Sequence, residues 1–192
     1  EANADGEYIE VGENSITVHA KFFSTYAIAY SEENGSIDVT EDTTTRGQLV
    51  TILWRLEGKP MVEVAESFND VYENDWYNHS VRWATANGIA KGYGEGYFGP
   101  SDTVTREQVV SILWRYAQYK GIDVSVGEDT NILSNEDAFD ISDYAVPAMQ
   151  WACGAGLING MKDINGKMIL DPQGDITRAQ MDIMMKRFCE EL

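Results

Sequence analysis

The sequence predicts a mainly α-helical repeat protein with a short β segment at its N-terminal end. Three observations carry this prediction. Thr-Arg-X-Gln occurs at residues 45–48, 105–108 and 177–180, each time before an apolar run with helical spacing. Residues 68–121 match residues 139–192 position by position. Residues 7–18 instead show the alternation and turn residues of a β-hairpin. Because the motif recurs at spacings of 60 and 72 residues, we interpret the chain as a series of repeats.

The N-terminal β segment, residues 1–36, differs from the rest of the chain. Two short alternating runs flank Gly12-Glu13-Asn14, and residues 22–30 are rich in aromatic and β-branched side chains. We expect either the last strands of an upstream β-rich domain or a strand pair packed on the repeats. The chain begins with Glu-Ala-Asn rather than Met, which we interpret as a mature fragment.

Helix capping explains two residues of the Thr-Arg-X-Gln motif, the Thr and the Gln. Thr followed three positions later by Gln is a capping box, in which each side chain satisfies the backbone N–H of the other at a helix start. The arginine has no such task, and a cation in the first turn faces the positive end of the helix dipole. We therefore expect Arg46, Arg106 and Arg178 to serve something outside their helices.

The repeats divide the remainder of the chain. Residues 37–60 supply only the second half of a repeat, residues 61–121 a complete one, and residues 139–192 another, with a polar connector at 122–138. Each complete unit reads as a helix, a Gly-rich loop and a second helix. In this alignment Phe139-Asp140-Ile141 corresponds, with one residue fewer, to the Phe68-Asn69-Asp70-Val71 that opens the preceding unit.

Composition excludes several classes of function. Lys and Arg number 14 against 32 Asp and Glu, for a net charge of −18, so there is no basic field for nucleic acid. No apolar run reaches the roughly 18 residues needed for membrane insertion. Cys153 and Cys189 lack metal spacing, and buried free thiols are favoured over a bridge.

The chain shows no constellation for catalysis or for a cofactor. His19 and His79 stand apart from other ligand-type residues and are expected at the surface. Residues 163–167 favour a hairpin turn at Asn165-Gly166 over a calcium loop, because the alternating acids and closing Glu are missing. No acid stands out as half of a glycosidase pair. We therefore predict no enzyme, no metal and no cofactor.

Taken together, residues 37–192 resemble S-layer homology repeats, two complete and one partial. The resemblance rests on Asp75-Trp76-Tyr77, on Trp-Ala-x-x-x-Gly-Ile-x-x-Gly at 83–92, on the Gly-Tyr…Phe-x-Pro loop at 92–100, and on the Thr-Arg motif. It implies a pseudo-threefold helical assembly at the cell wall or S-layer of a Gram-positive bacterium. It also implies an extracellular, non-catalytic anchor whose grooves between repeats bind secondary cell-wall polysaccharide, often pyruvylated and therefore anionic.

Carried over by position, the resemblance implies that the three motif arginines contact the ligand. Arg forms paired hydrogen bonds to a carboxylate, a helix N-terminus offers free N–H groups, Gly-rich loops allow close approach, and aromatic rings stack on sugars. The expected ligand-binding residues are Arg106, Arg178, Arg46, Trp76, Gly92, Tyr93, Gly94 and Gly160. The alternatives are intramolecular ion pairs for the arginines and core packing for Trp76; for Trp54, Trp83, Trp114 and Trp151 core packing is favoured.

The sequence departs from the family pattern in three respects. Gln replaces Glu at the last motif position, Gly47 stands inside the first motif, and the first helix of the first repeat has no counterpart at 10–30. Two rival functions stay open for this reason. One is a module for protein–protein contact or S-layer self-assembly, which would bind other surface proteins. The other is an accessory domain of an upstream glycan-acting enzyme.

Overall fold

A computed structural model describes residues 8–11, 16–19, 43–125, 127 and 129–191. In this part the chain forms five α-helices and a 3₁₀ turn: α1 (Arg46–Leu56), α2 (Asn78–Ala86), α3 (Arg106–Tyr119), the 3₁₀ turn Ala138–Asp140, α4 (Val146–Gly154) and α5 (Arg178–Glu191). Two antiparallel hairpins complete it, β1 (Tyr8–Val11) with β2 (Ile16–His19) and β3 (Met161–Lys162) with β4 (Met168–Ile169). The prediction of a mainly α-helical chain with a short β element is confirmed, while the aromatic run at 22–30 lies outside the described residues.

The three motif helices start from one ring of backbone hydrogen bonds. Thr44 N–H donates to the Ile176 carbonyl, Ile176 N–H to the Val104 carbonyl, and Val104 N–H to the Thr44 carbonyl, each at 3.0 Å. Each of these residues directly precedes the Thr that caps α5, α3 or α1. The ring gives the pseudo-threefold arrangement that the family resemblance implies, and it fixes how the repeats face one another.

The capping boxes form as predicted at two of the three helices. Thr45 N–H donates to Gln48 Oε1 at 2.8 Å and Gln48 N–H to Thr45 Oγ1 at 3.3 Å. The same reciprocal pair joins Thr177 and Gln180. At α3 only half of the box is present, because Gln108 N–H donates to Thr105 at 3.4 Å while its buried Oε1 has no partner.

Helices of successive repeats pack in pairs to form the core. α1 packs on α2, and α3 packs on α4, so the second helix of one repeat covers the first helix of the next. Thr51 Oγ1 and Ser80 Oγ meet at 2.6 Å across the first of these pairs. Trp83 and Trp151, at equivalent positions, are each 1% exposed, which confirms core packing for both. Trp54 and Trp114 lie partly buried against the same core.

The hydrogen bonds between an aspartate and a loop backbone show that the alignment of the third repeat has to be corrected. Asp70 accepts the backbone N–H groups of Phe98 and Gly99 at 2.9 and 2.7 Å. Its structural counterpart is Asp137, which accepts the N–H groups that follow β4, those of residues 170 and 171. The prediction that Phe139-Asp140 corresponds to Phe68-Asn69-Asp70 is therefore wrong: Phe68 is buried, whereas Phe139 is 89% exposed.

Several smaller predictions can be checked in the described residues. The turn at Asn165-Gly166 closes the β3–β4 hairpin, with Asp163 Oδ1 accepting the N–H groups of Asn165 and Lys167, so the hairpin prediction is confirmed. Both cysteines are free, but only Cys153 is partly buried; Cys189 is exposed, so its predicted burial is wrong. His79 is exposed, as predicted, and stacks on Trp54.

Candidate functional site

Arg46, in the first motif, crosses from its own repeat into the loop of the next. Its Nε donates to the Phe98 carbonyl at 3.0 Å and its Nη2 to the Lys91 carbonyl at 2.8 Å. The guanidinium lies 4.3 Å from the centre of the Tyr93 ring, a cation–π distance. The side chain is buried, and this burial lowers the pKa of Arg46. Arg46 therefore holds two repeats together.

Arg106 repeats this arrangement one unit further along. It is buried, and its Nε donates to the Leu170 carbonyl at 2.8 Å, in the loop of the third repeat. The sequence allowed an ion pair as the alternative partner of the motif arginines. For Arg46 and Arg106 the hydrogen-bond partners are instead main-chain carbonyls, which have no signature in the sequence.

The helix starts do not offer the open N–H groups that we expected. Arg46 and Gly47 N–H donate to the carbonyls of Asp102 and Pro100, at 3.0 and 2.9 Å. At α3 the two corresponding N–H groups donate to the carbonyls of residues 174 and 172. The expectation of an anion site built from free N–H groups is therefore wrong at α1 and α3, because the neighbouring repeat already satisfies them.

Arg178, in the third motif, lies in a different setting. It is partly buried and lines a cleft of about 160 Å³ between α1 and α5. The residues that matter for its chemistry are Thr44, Gln48, Arg55, Trp76, Arg178 and Asp182, and we call this the α1–α5 cleft. Trp76 is 59% exposed, so an indole face is open to solvent beside two guanidinium groups. Core packing, the alternative for Trp76, is thereby ruled out.

The structural counterpart of Trp76 lies near arginines of α1 and α3. Tyr144 stands 68 residues after Trp76, as Trp151 stands after Trp83, and it is also exposed. Burial and a hydrogen bond to Glu107 raise the pKa of Tyr144 to about 12, against the opposing effect of Arg115 and Arg46. Tyr144 therefore lies near two arginines from different repeats, as Trp76 does. We call the surface formed by Tyr144, Arg46 and Arg115 the α1–α3 groove.

The clefts reveal an arginine that our sequence reasoning missed. Arg55, Arg115 and Arg187 each stand nine residues after a motif arginine. Arg55 lines the α1–α5 cleft and is exposed, and its side chain forms no hydrogen bond or ion pair with the described residues. Arg187 donates to the Leu157 carbonyl. The sequence could have revealed this second arginine, because it recurs at the same spacings of 60 and 72 residues as the motif arginine.

The predicted glycine positions have structural reasons of their own. A side chain at Gly92 would lie 2.6 Å from both Phe68 Cε1 and the Tyr97 carbonyl, and one at Gly160 would lie 2.9 Å from the Ile169 carbonyl. Gly94 has a φ of 101° with open space around it. Gly92 and Gly94 line a second cleft, of about 370 Å³, together with Phe68, Lys91 and Thr85 of α2. The three glycines thus lie in two different loops. Gly92 and Gly94 share a cleft, and Gly160 does not line it.

Other chemistry finds no support in the described part of the chain. No group of three His, Cys, Asp or Glu residues there could hold a metal ion. Searching the same residues, we find no helix whose length and apolar character would let it cross a bilayer.

Fold and clefts define a pseudo-threefold helical repeat protein with arginine-lined clefts between its repeats. The family model described as the S-layer homology domain matches residues 67–110 and 136–181. The second match begins at 136, before Phe139. The chain belongs to the S-layer homology family, which places it at the bacterial cell surface.

Three relatives show the range of proteins in which similar segments occur. The chain is 30% identical to "Exoglucanase XynX" of Acetivibrio thermocellus, over 72% of this chain and 12% of that protein. It is 26% identical to "Surface-layer 125 kDa protein" of Lysinibacillus sphaericus, over 66% and 10%. It is 20% identical to "Cellulosome-anchoring protein" of A. thermocellus, over 90% and 36%. The chain thus spans about a third or less of the length of each.

Proposed function

We propose that residues 43–191 form a non-catalytic anchor that binds an anionic cell-wall glycan, with the α1–α5 cleft as its principal site. One observation carries the proposal: Arg178, Arg55 and the exposed face of Trp76 line the same cleft between two repeats. The family and its surface-layer and anchoring relatives support attachment to the cell surface. The identity of the glycan is the part that needs an experiment.

The chemistry of the cleft suits an acidic sugar. A guanidinium group makes paired, charge-assisted hydrogen bonds to a carboxylate such as that of a pyruvate ketal. An indole face packs against the C–H face of a pyranose ring. Gln48 and Asp182 supply amide and carboxylate groups for hydroxyls. The cleft therefore combines the three kinds of contact that a pyruvylated sugar needs.

The net charge of −18 does not prevent an anionic ligand from binding. At physiological ionic strength the Debye length is about 8 Å, so carboxylates further away are largely screened. Arg55 and Arg178 outnumber Asp182 among the charged residues that line the cleft, so its local charge is positive. The acidic surface works against non-specific retention of polyanions elsewhere on the molecule.

The remaining predicted contacts keep a place in the proposal. Tyr93, with Gly92 and Gly94, borders the loop that Arg46 holds, and Gly160 lies in the corresponding loop of the third repeat. We propose that these loops form secondary contacts along a polymeric ligand. Arg46 and Arg106 would act in these places chiefly by fixing the loops, because their Nε groups are already committed to carbonyls.

The test compares two arginine variants of equal charge. Arg55→Ala removes a cation from the α1–α5 cleft, whereas Arg82→Ala removes one from α2, where it reaches the Glu63 carbonyl outside the cleft. Calorimetric titration with a pyruvylated N-acetylmannosamine glycoside is the measurement. We expect about a 10- to 100-fold loss of affinity for Arg55→Ala, the range for a lost hydrogen bond to a charged group, and little change for Arg82→Ala. Equal affinity of the two variants would refute the site.

Exposed apolar side chains favour a second candidate, contact with other surface proteins. Leu133 and Phe139 are 65% and 89% exposed, and Ile164 is fully exposed; the first lies in the connector and the other two in the third repeat. Sedimentation with purified cell walls, before and after the secondary polymer is removed, separates the two functions. Loss of binding on removal supports the glycan, and retention supports a protein or peptidoglycan target.

A further inference from the structure

The buried carboxylate of Glu107 has an unusual set of partners. Its side chain, on the first turn of α3, is 3% exposed. Glu107 Oε2 accepts the Ser142 N–H at 3.0 Å, and Oε1 accepts the Ser142 hydroxyl at 2.8 Å and the Tyr144 hydroxyl at 3.0 Å. No described basic side chain forms an ion pair with it. A buried carboxylate without a cation depends on such donors for its stability.

These donors belong to the α1–α3 groove. Tyr144 is the counterpart of Trp76, and it is also the residue whose pKa responds to Arg46 and Arg115. The Glu107 carboxylate is thus hydrogen-bonded to the aromatic residue of the groove, close to its two arginines. A ligand carboxylate would meet the same hydroxyl and N–H donors there.

The α1–α5 cleft differs from this groove at the position of Glu107. The residue equivalent to Glu107, 60 positions earlier, is Gly47, which has no side chain. An added Cβ at Gly47 would lie 2.8 Å from the Pro100 carbonyl, so the site favours glycine. Trp76 therefore has no counterpart of Glu107 on α1, and the carboxylate that lines its cleft is that of Asp182 on α5.

We propose that Glu107 acts as an internal acid that occupies the α1–α3 groove in place of the ligand, and so restricts anionic glycan to the α1–α5 cleft. The proposal rests on the proposed function, because it assigns that ligand to one of two related grooves. Glu107 is on this view a specificity-determining residue: its carboxylate satisfies the donors that a sugar acid would need.

The test is the number of sites per chain. Glu107→Ala introduces the residue that the third motif already has at this position, Ala179, and Glu107→Gln keeps the shape while removing the charge. Calorimetry with the pyruvylated N-acetylmannosamine glycoside should give one site in the unmodified chain and two in Glu107→Ala. Circular dichroism and thermal melting of both variants report whether they fold.

Each outcome decides the matter. If the unmodified chain has one site and Tyr144→Phe lowers the affinity of that site, the proposal is overturned, since the ligand would then already lie in the α1–α3 groove. An unchanged single site in folded Glu107→Ala overturns it as well. Binding only in Glu107→Ala supports the role of Glu107 but refutes the α1–α5 cleft, and no binding in any variant refutes both.

A second readout needs no ligand. The hydrogen bond from Tyr144 to Glu107 favours the protonated phenol, which contributes to a pKa of about 12. In Glu107→Gln the negative charge is gone, so the pKa of Tyr144 should fall toward its ordinary value of 10. Titration of the Tyr144 ring carbon by ¹³C NMR measures this, with Tyr144→Phe identifying the signal. An unchanged pKa would show that Glu107 does not engage the groove.

Discussion

Arg46 illustrates how one side chain joins two repeats. Its Nε and Nη2 satisfy two carbonyls of a loop about fifty residues away, and its planar group lies over the Tyr93 ring. Lysine has neither the fork of donors nor the flat surface. Arg55, on the same helix, is exposed, and its side chain makes no hydrogen bond to the described residues. The two arginines therefore serve stability and binding respectively.

Replacement by lysine separates these roles. Arg46→Lys should lower the free energy of unfolding by about 1–3 kcal/mol, because a buried carbonyl loses its donor. Arg55→Lys should leave stability within about 0.5 kcal/mol, as for most surface substitutions. Urea denaturation measures both. Equal stability of the two variants would show that the carbonyl contacts of Arg46 contribute nothing.

Helix starts are the elements on which the repeat is built. Sequence reasoning found the three motif helices and their caps because capping is local: both partners lie within four residues. It could not find the partners of Arg46 and Arg106, since any residue supplies a carbonyl. It misaligned Phe139 because Phe139-Asp140 resembles the Phe68-Asn69-Asp70 opening once a single residue is left out. The role of Glu107 was hidden among 32 acidic residues.

The incomplete capping box at α3 gives a test within one protein. Gln48→Ala removes an acceptor that the Thr45 N–H uses, so it should cost about 0.5–1.5 kcal/mol, the net value of a hydrogen bond. Gln108→Ala removes an Oε1 atom that has no partner, so no cap is lost; the contact it does remove is a side-chain hydrogen bond to the exposed Tyr93. We expect Gln48→Ala to be the more destabilising variant in urea denaturation. The reverse order would contradict the difference between the two caps.

At the scale of the whole molecule, pairing between repeats makes the unit of stability larger than one repeat. α1 packs on α2 and α3 packs on α4. The hydrogen-bonded ring of Thr44, Val104 and Ile176 joins the N-terminal ends of the three motif helices. The buried core runs through all of these elements without a break. None of the repeats therefore has a complete core of its own.

The repeats should accordingly unfold together. Differential scanning calorimetry should give one transition for residues 43–191, with equal calorimetric and van't Hoff enthalpies. Val104→Pro removes the N–H that donates to Thr44 and should lower the melting temperature of that whole transition rather than split it. Two resolved transitions in the unmodified chain would show that the repeats are independent domains.

The backbone ring also constrains the order of events when the chain first folds. Its members are separated by 60 and 72 residues, so it cannot close until Ile176 has left the ribosome or the secretion channel. Contacts of such long sequence separation slow folding. During export the earlier repeats can form helices but lack the partner that completes the ring. Closure of the ring is therefore a late step in folding, and the clefts can assemble only after the third repeat has been delivered outside the cell.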